Sequence, residues 1–536
     1  MSAQNHRTTT TTSTTVTDVS DASATSARPG SPGRPTIDLR EGGAATGRHL
    51  PARRDLTGLV KAYDVRGLVG EQLDAEVAHA LGLAFAEEVA GDRTPRGVTT
   101  RVVIGHDMRP SSPELSRAFA EGAAARGLDV LLIGLCSTDG LYFASGALDA
   151  PGAMFTASHN PAAYNGIKLC RAGARPIGQD TGLARIRRRA EDLLSSSAAA
   201  TASPQAAPAA GAITSEDRLA GYAAHLRSLV DLSGIRPLRV VVDAGNGMAG
   251  LTTPAVLGTA AGLPALPLDV VPMYFELDGT FPNHEANPLE PANLRDLQAE
   301  VVRRGADLGL AFDGDADRCF VIDERGEPVS PSAVTALVAR REIARARAAD
   351  PAGGPISVIH NLITSRAVPE VIAEAGGVPV RTRVGHSFIK AEMATHDAVF
   401  GGEHSAHYYF RDFWFADTGM LAALHVLAAL GDPQQPPTRL SHLVAEFERY
   451  AASGEINSRV DDVAAATARV EAAFAGRDGV RLDRLDGLSV ISDEQGWWFN
   501  LRPSNTEPLL RLNAEATSVT EMTTLRDEVL GLVRNG

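Results

Sequence analysis

The stretch DLGLAFDGDADR, Asp307–Arg318, contains an apolar segment followed by an acidic one, and it indicates the fold class of the chain. Its first half, Asp307–Phe312, is a short apolar run of the kind that forms a buried strand. Similar runs alternate along the chain with segments rich in Ala, Leu, Glu and Arg, which favour helices. Strand, helix, strand order requires crossover connections, so the sequence predicts an α/β protein with parallel or mixed sheets, in a pattern that recurs three times. The other predicted strands are Arg101–Ile104, Val130–Ile133, Leu238–Val242 and Ile356–Ile359, and the predicted helices include Ala75–Val89, Pro113–Ala125 and Asn293–Arg303.

The chain changes character from about Asp461 onward. The sequence predicts a helix at Val463–Ala475, three short strands at Val480–Leu482, Leu488–Ile491 and Trp497–Leu501, and a final helix. Together they form a small α+β unit. Shifts in composition give the expected boundaries. They are a disordered tail at 1–55, a first domain at 56–194, a low-complexity linker or loop at 195–214, and further domains at 215–326, 327–445 and 446–536.

Charge and cysteine content exclude several classes of protein. The chain has 536 residues with 51 Lys plus Arg against 65 Asp plus Glu, a formal charge of −14, which argues against a nucleic-acid binder. Cys136, Cys170 and Cys319 have no disulfide or zinc spacing and are expected to be reduced thiols. No apolar run is long enough to cross a bilayer, and the Ser/Thr-rich N-terminus lacks a secretory layout. We therefore expect a cytoplasmic protein with no membrane partner; the oligomeric state is not indicated.

Three carboxylates follow the predicted strand Asp307–Phe312. Asp313, Asp315 and Asp317 stand two residues apart, with small residues between them, so they can converge on a hard cation such as Mg²⁺. An EF-hand is excluded because its loop requires glycine at the sixth position, where Arg318 stands instead. A solvated acidic loop is the alternative, but clustered negative charges beside a buried strand repel one another unless a cation compensates them.

A serine is presented on a tight loop earlier in the chain. TASHNP (Thr156–Pro161) and YNGIK (Tyr164–Lys168) hold Asn-Pro and Asn-Gly, which favour two bends around Ser158. A serine hydrolase is a poor fit because His159 is adjacent in sequence and no G-x-S-x-G elbow exists. Taken alone, this loop favours an ordinary surface turn over a catalytic serine.

Two later loops carry polar groups suited to a phosphorylated, hydroxyl-rich ligand. GGEHSAH, 401–407, offers the Glu403 carboxylate, which can accept hydrogen bonds from two neighbouring hydroxyls. RPSNTEP, 502–508, combines guanidinium, hydroxyl and amide donors in one turn that favours an anion such as phosphate. Structural turns remain the alternative for both, and His386, in a Gly-flanked loop, is on its own more often structural than catalytic.

In this order, over roughly residues 57–530, the four loops resemble the motifs of the α-D-phosphohexomutase superfamily. YDVRG, Tyr63–Gly67, is also similar to that family's N-terminal signature. The resemblance implies three related mixed-sheet α/β domains and a smaller C-terminal α+β domain around a central cleft. It further implies an enzyme that interconverts hexose 1-phosphate and hexose 6-phosphate through a phosphoserine and a 1,6-bisphosphate, with Mg²⁺ as cofactor and a hexose 1,6-bisphosphate as activator.

The resemblance assigns expected roles to residues of this chain. Ser158 is the expected phosphoserine, and Asp313, Asp315 and Asp317 are expected to bind Mg²⁺ together with a phosphoserine oxygen. Catalytic roles around the transferring group are expected for His159, Lys168, Arg66 and His386. Substrate contacts are expected from Tyr63, Arg318, Glu403, Ser405 and His407, and a grip on the non-reacting phosphate from Arg502, Ser504, Asn505 and Thr506. Some relatives have a lysine where this chain has Ile363, so one cationic contact is either missing or supplied by Lys390.

Fewer residues indicate which sugar the enzyme uses. Hydroxyls 3 and 4 exchange places when the bisphosphate turns round, so Glu403 serves both orientations but does not read carbon 2, where mannose and glucose differ. A histidine four residues after the glutamate, here His407 after Glu403, resembles the pattern of phosphomannomutases and dual mannose/glucose enzymes. Mannose phosphate is therefore the expected substrate, with glucose or glucosamine phosphate as alternatives. Two other classes stay open: a metal-dependent phosphatase with Asp313 as nucleophile, and a phosphosugar-binding regulator without turnover.

Overall fold

The computed structural model describes residues 54–95, 97–196, 209–503 and 509–534. The predicted tail lies outside these residues except for its last two positions. The predicted linker at 195–214 is described only at its ends, and there the structure differs from the expectation. Its first residues complete a helix, and Ile213–Ser215 is a strand because its backbone pairs with an edge of the first sheet. The exact domain boundaries stay predictions.

The first sheet has seven strands. Parallel pairs form its centre, and antiparallel strands form one side. A two-stranded ribbon, β2 (Arg93–Thr94) with β3 (Gly97–Val98), lies apart from it. The strands of the sheet are β1 (Val65–Leu68), β4 (Arg101–His106), β5 (Asp129–Leu135), β6 (Gly152–Phe155), β7 (Tyr164–Arg171), β8 (Arg175–Pro176) and β9 (Ile213–Ser215), and its helices are α1 (Ala75–Val89), α2 (Ser112–Ala124), α3 (Thr138–Leu148) and α4 (Leu183–Ser196).

The second and third sheets have five strands each. The second contains β10 (Leu238–Asp243), β11 (Leu268–Met273), β12 (Leu308–Phe312), β13 (Cys319–Asp323) and β14 (Pro328–Val329), with α5 (Leu219–Leu229), α6 (Ala249–Val256) and α7 (Arg295–Arg304). The third contains β15 (Ser357–Asn361), β16 (Val378–Thr382), β17 (Phe400–Gly402), β18 (Tyr408–Phe410) and β19 (Ala416–Asp417), with α8 (Pro331–Ala349), α9 (Ala367–Glu374), α10 (His386–His396), α11 (Gly419–Leu430) and α12 (Leu440–Val444).

These three sheets share one strand order. If the added strands β1 and β9 of the first sheet are left out, the strands of each unit, counted in chain order, lie side by side as 2-1-3-4-5. The orders are β5-β4-β6-β7-β8, then β11-β10-β12-β13-β14, then β16-β15-β17-β18-β19. In each unit the first three strands are parallel, and the fourth runs antiparallel to the third. The expectation of three related mixed-sheet α/β units is therefore confirmed.

The C-terminal unit is built differently. Its sheet runs β20-β24-β23-β22-β21 and is antiparallel throughout, with helices α13 and α14. Alternate residues of β23, namely Trp497, Phe499 and Leu501, belong to the core of this unit. This is the predicted small α+β unit. Its elements are β20 (Ala451–Arg459), α13 (Val463–Phe474), β21 (Val480–Asp483), β22 (Leu488–Ser492), β23 (Trp497–Pro503), β24 (Leu509–Ala516) and α14 (Val519–Arg534).

Two sequence expectations about the whole chain can be compared with the structure. All three cysteines are buried and unpaired, as expected for reduced thiols. Within the described ranges, none of the helices combines the length and the apolar character that crossing a bilayer requires.

A buried carboxylate, Asp139 at the start of α3, joins the first three units. Its Oδ2 atom accepts a hydrogen bond of 2.7 Å from the hydroxyl of Tyr222 on α5 and another of 2.7 Å from the hydroxyl of Thr418, which precedes α11. The hydroxyl of Ser137 donates to the other oxygen. Because Thr418 follows Asp417, and Thr138 beside Asp139 contacts Asp315, this junction lies directly behind the cavity described below.

The substitution Tyr222→Phe tests this junction. It removes one donor from a buried carboxylate, so we expect the free energy of unfolding to fall by about 1 to 2 kcal/mol near neutral pH. Tyr450→Phe is the matched control, because the Tyr450 hydroxyl donates to Glu370 at 2.6 Å in a more exposed place, and we expect a change of about 0.5 kcal/mol or less.

The effect of Tyr222→Phe on the free energy of unfolding should depend on pH. Burial raises the pKa of Asp139 to about 6, above that of an exposed aspartate. The ionised carboxylate, which accepts the stronger hydrogen bonds, therefore predominates in the folded protein only above that pH. The difference in unfolding free energy between wild type and Tyr222→Phe should shrink from about pH 7 to about pH 5. Chemical denaturation at several pH values measures it, and a constant difference would contradict the role of the Asp139 charge.

Candidate active site

Three of the four loops predicted from the sequence occupy the same topological position. Residues 156–163, 313–318 and 403–407 each connect the third strand of a unit to its antiparallel fourth strand. We call them the serine loop, the acid loop and the glutamate loop. The backbones of Arg318 and His407 pair directly, so the acid and glutamate loops touch. The repeated fold thus brings three copies of one connection to a common cavity of about 680 Å³.

Ser158 lies at the floor of this cavity. Its backbone has φ of +50°, a conformation that a non-glycine residue adopts only when its surroundings hold it there. The Ser158 N–H donates to Thr156 Oγ1 at 2.9 Å, and the Ser158 hydroxyl donates to Asp313 Oδ2 at 2.8 Å. The serine loop therefore presents the hydroxyl against the first carboxylate of the acid loop.

His159 lies beside the serine, but its nitrogen already has a cationic neighbour. Its Nδ1 atom is 3.2 Å from Ser158 Oγ and is also contacted by the guanidinium of Arg318. Burial, together with Arg318 and Arg66, lowers the pKa of His159 well below its usual value. The imidazole is therefore neutral at physiological pH and its Nδ1 acts as an acceptor toward Arg318.

The three acid-loop carboxylates are buried and close together. One oxygen from each of Asp313, Asp315 and Asp317 lies within 4.8 Å of the others. Oδ1 of Asp315 and Oδ1 of Asp317 are buried, and no residue within the described ranges hydrogen-bonds to them. Oxygen atoms left without donors in a buried acidic group are what Mg²⁺ requires as ligands, so these residues fit the predicted ion.

Within the acid loop, the pKa values of Asp313 and Asp315 are shifted in opposite directions. Burial and the neighbouring carboxylates raise the pKa of Asp313 to about 7, although Arg318 opposes this with Nη2 at 2.7 Å from Asp313 Oδ2. Burial alone would also raise the pKa of Asp315, but the ammonium of Lys168 at 2.6 Å outweighs it and lowers that pKa. The same ammonium lies 2.5 Å from Asp317 Oδ2. Lys168 therefore neutralises part of the charge that a divalent cation would also face.

The predicted N-terminal and histidine residues line the opposite wall. Arg66 donates to Asn160 Oδ1 and to Asp64 Oδ2, each at 2.5 Å. Tyr63 packs its ring edge against His386, with ring centroids 5.0 Å apart. Burial and nearby cations lower the pKa of His386 to about 4, so this imidazole is neutral near pH 7. The predicted residues that line the cavity are Tyr63, Arg66, Ser158, His159, Lys168, Asp317, Arg318, His386 and His407.

The glutamate loop forms a compact hydrogen-bonded group at the edge of this wall. One oxygen of Glu403 accepts from the Gly385 N–H at 3.2 Å, and the other accepts from the Ser405 hydroxyl at 2.7 Å. His407 lies between two acids, with Nδ1 3.5 Å from Glu403 Oε2 and Nε2 3.6 Å from Asp317 Oδ1. Burial opposes ionisation of Glu403, but His407 and Ser405 lower its pKa. Glu403 is thus a fixed, charged acceptor.

The fourth predicted loop is only partly described. Ser504, Asn505 and Thr506 lie outside the described residues. Arg502 is the penultimate residue of β23 and places Nη2 3.5 Å from Glu455 Oε2, away from the cavity that holds Ser158. A second cavity of about 910 Å³ lies between the third unit and the C-terminal unit. Ile363 and His404 line it.

Several residues of the site were not predicted. Asp417 and Tyr142 line the cavity, and Thr138 donates to Asp315 Oδ2 at 2.5 Å. Lys390 does not line the cavity: its ammonium lies 2.5 Å from Asp417 Oδ1 and 4.1 Å from the ring centre of Tyr142. The expectation that Lys390 replaces a missing cationic contact is therefore not supported by its position. Each of these residues stands alone in the sequence, with no motif around it.

Comparison with known proteins relates all four units to one family. Models described as phosphoglucomutase/phosphomannomutase alpha/beta/alpha domains I, II and III match residues 57–195, 220–326 and 330–450, and the model of that family's C-terminal domain matches residues 455–532. The chain is 43% identical to the phosphohexose mutases protein of Xanthomonas campestris pv. campestris over 458 residues, which cover 85% of this chain and 94% of that protein. It is 41% identical to the phosphomannomutase of Salmonella typhimurium, with the same coverage.

A solved structure gives the same relationship. The crystal structure of a phosphoglucomutase/phosphomannomutase family protein from Burkholderia thailandensis has a TM-score of 0.74 and 30% sequence identity to this chain. The alignment covers 89% of this chain and 98% of that one, so the likeness extends over all four units.

The position of the ion can be tested by thermal unfolding. A ligand that binds only the folded state at about one hundred times its Kd stabilises it by about 2.7 kcal/mol, so saturating Mg²⁺ should raise the Tm of the wild type clearly. We expect Asp313→Asn and Asp317→Asn to lose this Mg²⁺-induced shift. Asp323→Asn is the control, because Asp323 is equally buried but pairs with Arg325. A shift that survives in the acid-loop variants and disappears in Asp417→Asn would place the ion elsewhere in the cavity.

Proposed function

The chain belongs to the phosphoglucomutase/phosphomannomutase family and is a phosphohexomutase, an isomerase, and from that premise we propose that Ser158 carries the phosphoryl group it transfers. The observation that carries this proposal is the position of the Ser158 hydroxyl, 2.8 Å from Asp313 Oδ2, at the floor of a cavity beside three carboxylates. An isolated hydroxyl is a weak nucleophile and needs neighbours that neutralise charge during phosphoryl transfer. Lys168 and Arg318 provide positive charge there, and the acid loop would add to it by holding a divalent cation.

The proposed reaction has two balanced halves. In the first, a hydroxyl oxygen of the hexose 1-phosphate attacks the phosphorus on Ser158, the bond from phosphorus to Oγ breaks, and the hydroxyl proton leaves to a base. The product is a hexose 1,6-bisphosphate. After the bisphosphate turns round, Ser158 Oγ attacks the other phosphorus, the bond to the sugar oxygen breaks, and that oxygen takes up a proton. The enzyme is left phosphorylated on Ser158, and the sugar leaves as its 6-phosphate.

The residues of the cavity divide the remaining tasks. His386 is neutral near pH 7 and can accept the hydroxyl proton, while Lys168 stays protonated because its two carboxylate partners raise its pKa despite burial. Arg66 and His159 complete the surroundings of the transferring group. Mg²⁺ held by Asp313, Asp315, Asp317 and a phosphoserine oxygen would neutralise charge that develops on the phosphoryl oxygens. A hexose 1,6-bisphosphate would act as activator by rephosphorylating Ser158 whenever that phosphate is lost.

The sugar and its second phosphate are assigned to the other two loops. Glu403 and Ser405 would hold hydroxyls 3 and 4, whose exchange on turning lets one fixed carboxylate serve both orientations. Tyr63, His407 and Arg318 line the cavity and would contact the sugar. Arg502, Ser504, Asn505 and Thr506 would bind the phosphate that is not reacting. The mannose preference rests on His407 and on relatives at about 40% identity that are phosphomannomutases. Three reduced thiols fit a cytoplasmic location.

Replacing Ser158 by alanine tests the phosphoserine. We expect kcat for conversion of mannose 1-phosphate to mannose 6-phosphate to fall by about a thousandfold or more, because the covalent route is removed, while KM changes by about threefold or less. Ser145→Ala is the matched control, since Ser145 is a buried serine of the same unit whose hydroxyl donates to Ala150 O. Full turnover by Ser158→Ala, or release of free phosphate in place of isomerisation, would contradict the proposal.

A comparison of sugars tests the substrate. The specificity of an enzyme is the ratio of its kcat/KM values, and we expect mannose 1-phosphate to have the highest value, glucose 1-phosphate to follow and glucosamine 1-phosphate to be lowest. Coupled assays with each sugar phosphate at equal bisphosphate concentration measure these values. A higher kcat/KM for glucosamine 1-phosphate would overturn the choice of mannose.

A further inference from the structure

A buried arginine outside the cavity holds the serine loop from below. Arg109, in the turn between β4 and α2, is 1% exposed, and its guanidinium donates to four main-chain carbonyls. Nη2 donates to Ser158 O at 2.9 Å and to Asn160 O at 2.7 Å, and Nη1 donates to Pro161 O at 3.0 Å and to Tyr164 O at 2.9 Å. One side chain thus donates hydrogen bonds to three carbonyls of the serine loop and to the first carbonyl of β7.

The planar guanidinium is itself fixed on its other sides. Asp107 is fully buried, lies 3.2 Å from Arg109 Nε through Oδ2, and accepts the Arg109 N–H at 3.0 Å through Oδ1. The ring of Phe281, in a turn of the second unit, lies under the guanidinium at 5.1 Å. A Cβ on Gly279 in the same turn would come within 2.6 Å of Arg109 Cα, so the two units are in close contact there.

The serine loop is held against the acid loop on its opposite side. A Cβ on Gly314 would lie 2.5 Å from Ser158 O, the same carbonyl that accepts a hydrogen bond from Arg109. The Ser158 carbonyl therefore lies between the arginine fork and the glycine of the acid loop. Its position sets the left-handed conformation of Ser158 and the approach of its hydroxyl to Asp313.

We propose that Arg109, backed by Asp107 and Phe281, is a positioning residue that fixes Ser158 for phosphoryl transfer, an inference that rests on the proposed role of Ser158. Only an arginine offers several donors in a planar fork, whereas a lysine ammonium keeps the charge but offers three donors from one point. Arg109 does not line the cavity and so does not touch the sugar. Its loss should therefore affect the transfer step more than substrate binding.

The substitution Arg109→Lys, in the full-length enzyme, is the direct test. Misplacing a reacting group by about 1 Å can cost about a hundredfold in rate, so we expect kcat to fall by about that factor while KM for mannose 1-phosphate changes by about threefold or less. The rate constant for phosphorylation of Ser158 by glucose 1,6-bisphosphate, followed by intact mass on the dephosphorylated enzyme, should fall by the same factor. Phe281→Leu keeps Arg109 but removes the ring, and we expect a loss in kcat of about tenfold.

Arg171→Lys is the matched control. Arg171 is a half-buried arginine of the same unit that donates to Asp92, Glu88 and the Thr181 carbonyl, away from the cavity. We expect Arg171→Lys to lower the Tm by an amount similar to that of Arg109→Lys but to leave kcat unchanged. Equal kcat values for the two variants, per folded molecule, would overturn the positioning role, as would a rise in KM with kcat preserved.

Three further outcomes decide the remaining cases. If Arg109→Lys does not fold, Phe281→Leu and Asp107→Asn take its place, and a kcat unchanged from wild type in both would overturn the proposal. Turnover by Ser158→Ala would overturn the phosphoserine and this inference together. An inactive Ser158→Ala with an unaffected Arg109→Lys would overturn the positioning role alone.

Discussion

The site depends on one electrostatic constraint: three carboxylates share a buried loop. Like charges about 4 Å apart repel by about 4 kcal/mol at an effective dielectric constant of about 20, so Asp313, Asp315 and Asp317 are stable together only with cations beside them. Lys168 and Arg318 provide two, and two carboxylate oxygens without donors leave a place for a divalent ion. In a chain of net charge −14, a doubly anionic substrate requires such local cations, because the protein as a whole does not attract it.

The repeated strand order explains how the constraint is met. Each α/β unit contributes the connection between its third and fourth strands, and the three connections carry a serine, an acidic group and a glutamate with its histidine. Because equivalent loops leave equivalent sheets at the same place, packing the units around one cavity brings different chemistry together. The Asp139 junction and the Arg109 fork lie directly behind these loops, which explains why buried polar groups are concentrated there.

Much of this could be predicted from the sequence, and the remainder has a physical reason. The strand that ends at Phe312 and the carboxylates after it are local patterns, and so are the turns around Ser158; the structure contains all of them. Asp417, Thr138 and Arg109 could not be identified, because their partners lie far away along the chain and their neighbours in sequence are ordinary. Lys390 shows the converse: a cation that the sequence offers to the cavity is paired with Asp417 instead. The strand at Ile213–Ser215 could not be predicted because three residues at a sheet edge have no distinctive periodicity.

The central claim is that a phosphoryl group resides on Ser158 during turnover. Rapid quenching of the enzyme with mannose 1-phosphate and a trace of bisphosphate, followed by phosphopeptide mapping, measures this most directly. We expect phosphate on the peptide that contains Ser158, appearing and disappearing at rates no slower than kcat. Steady turnover with that peptide unmodified, or phosphate found on Asp313 instead, would contradict the account.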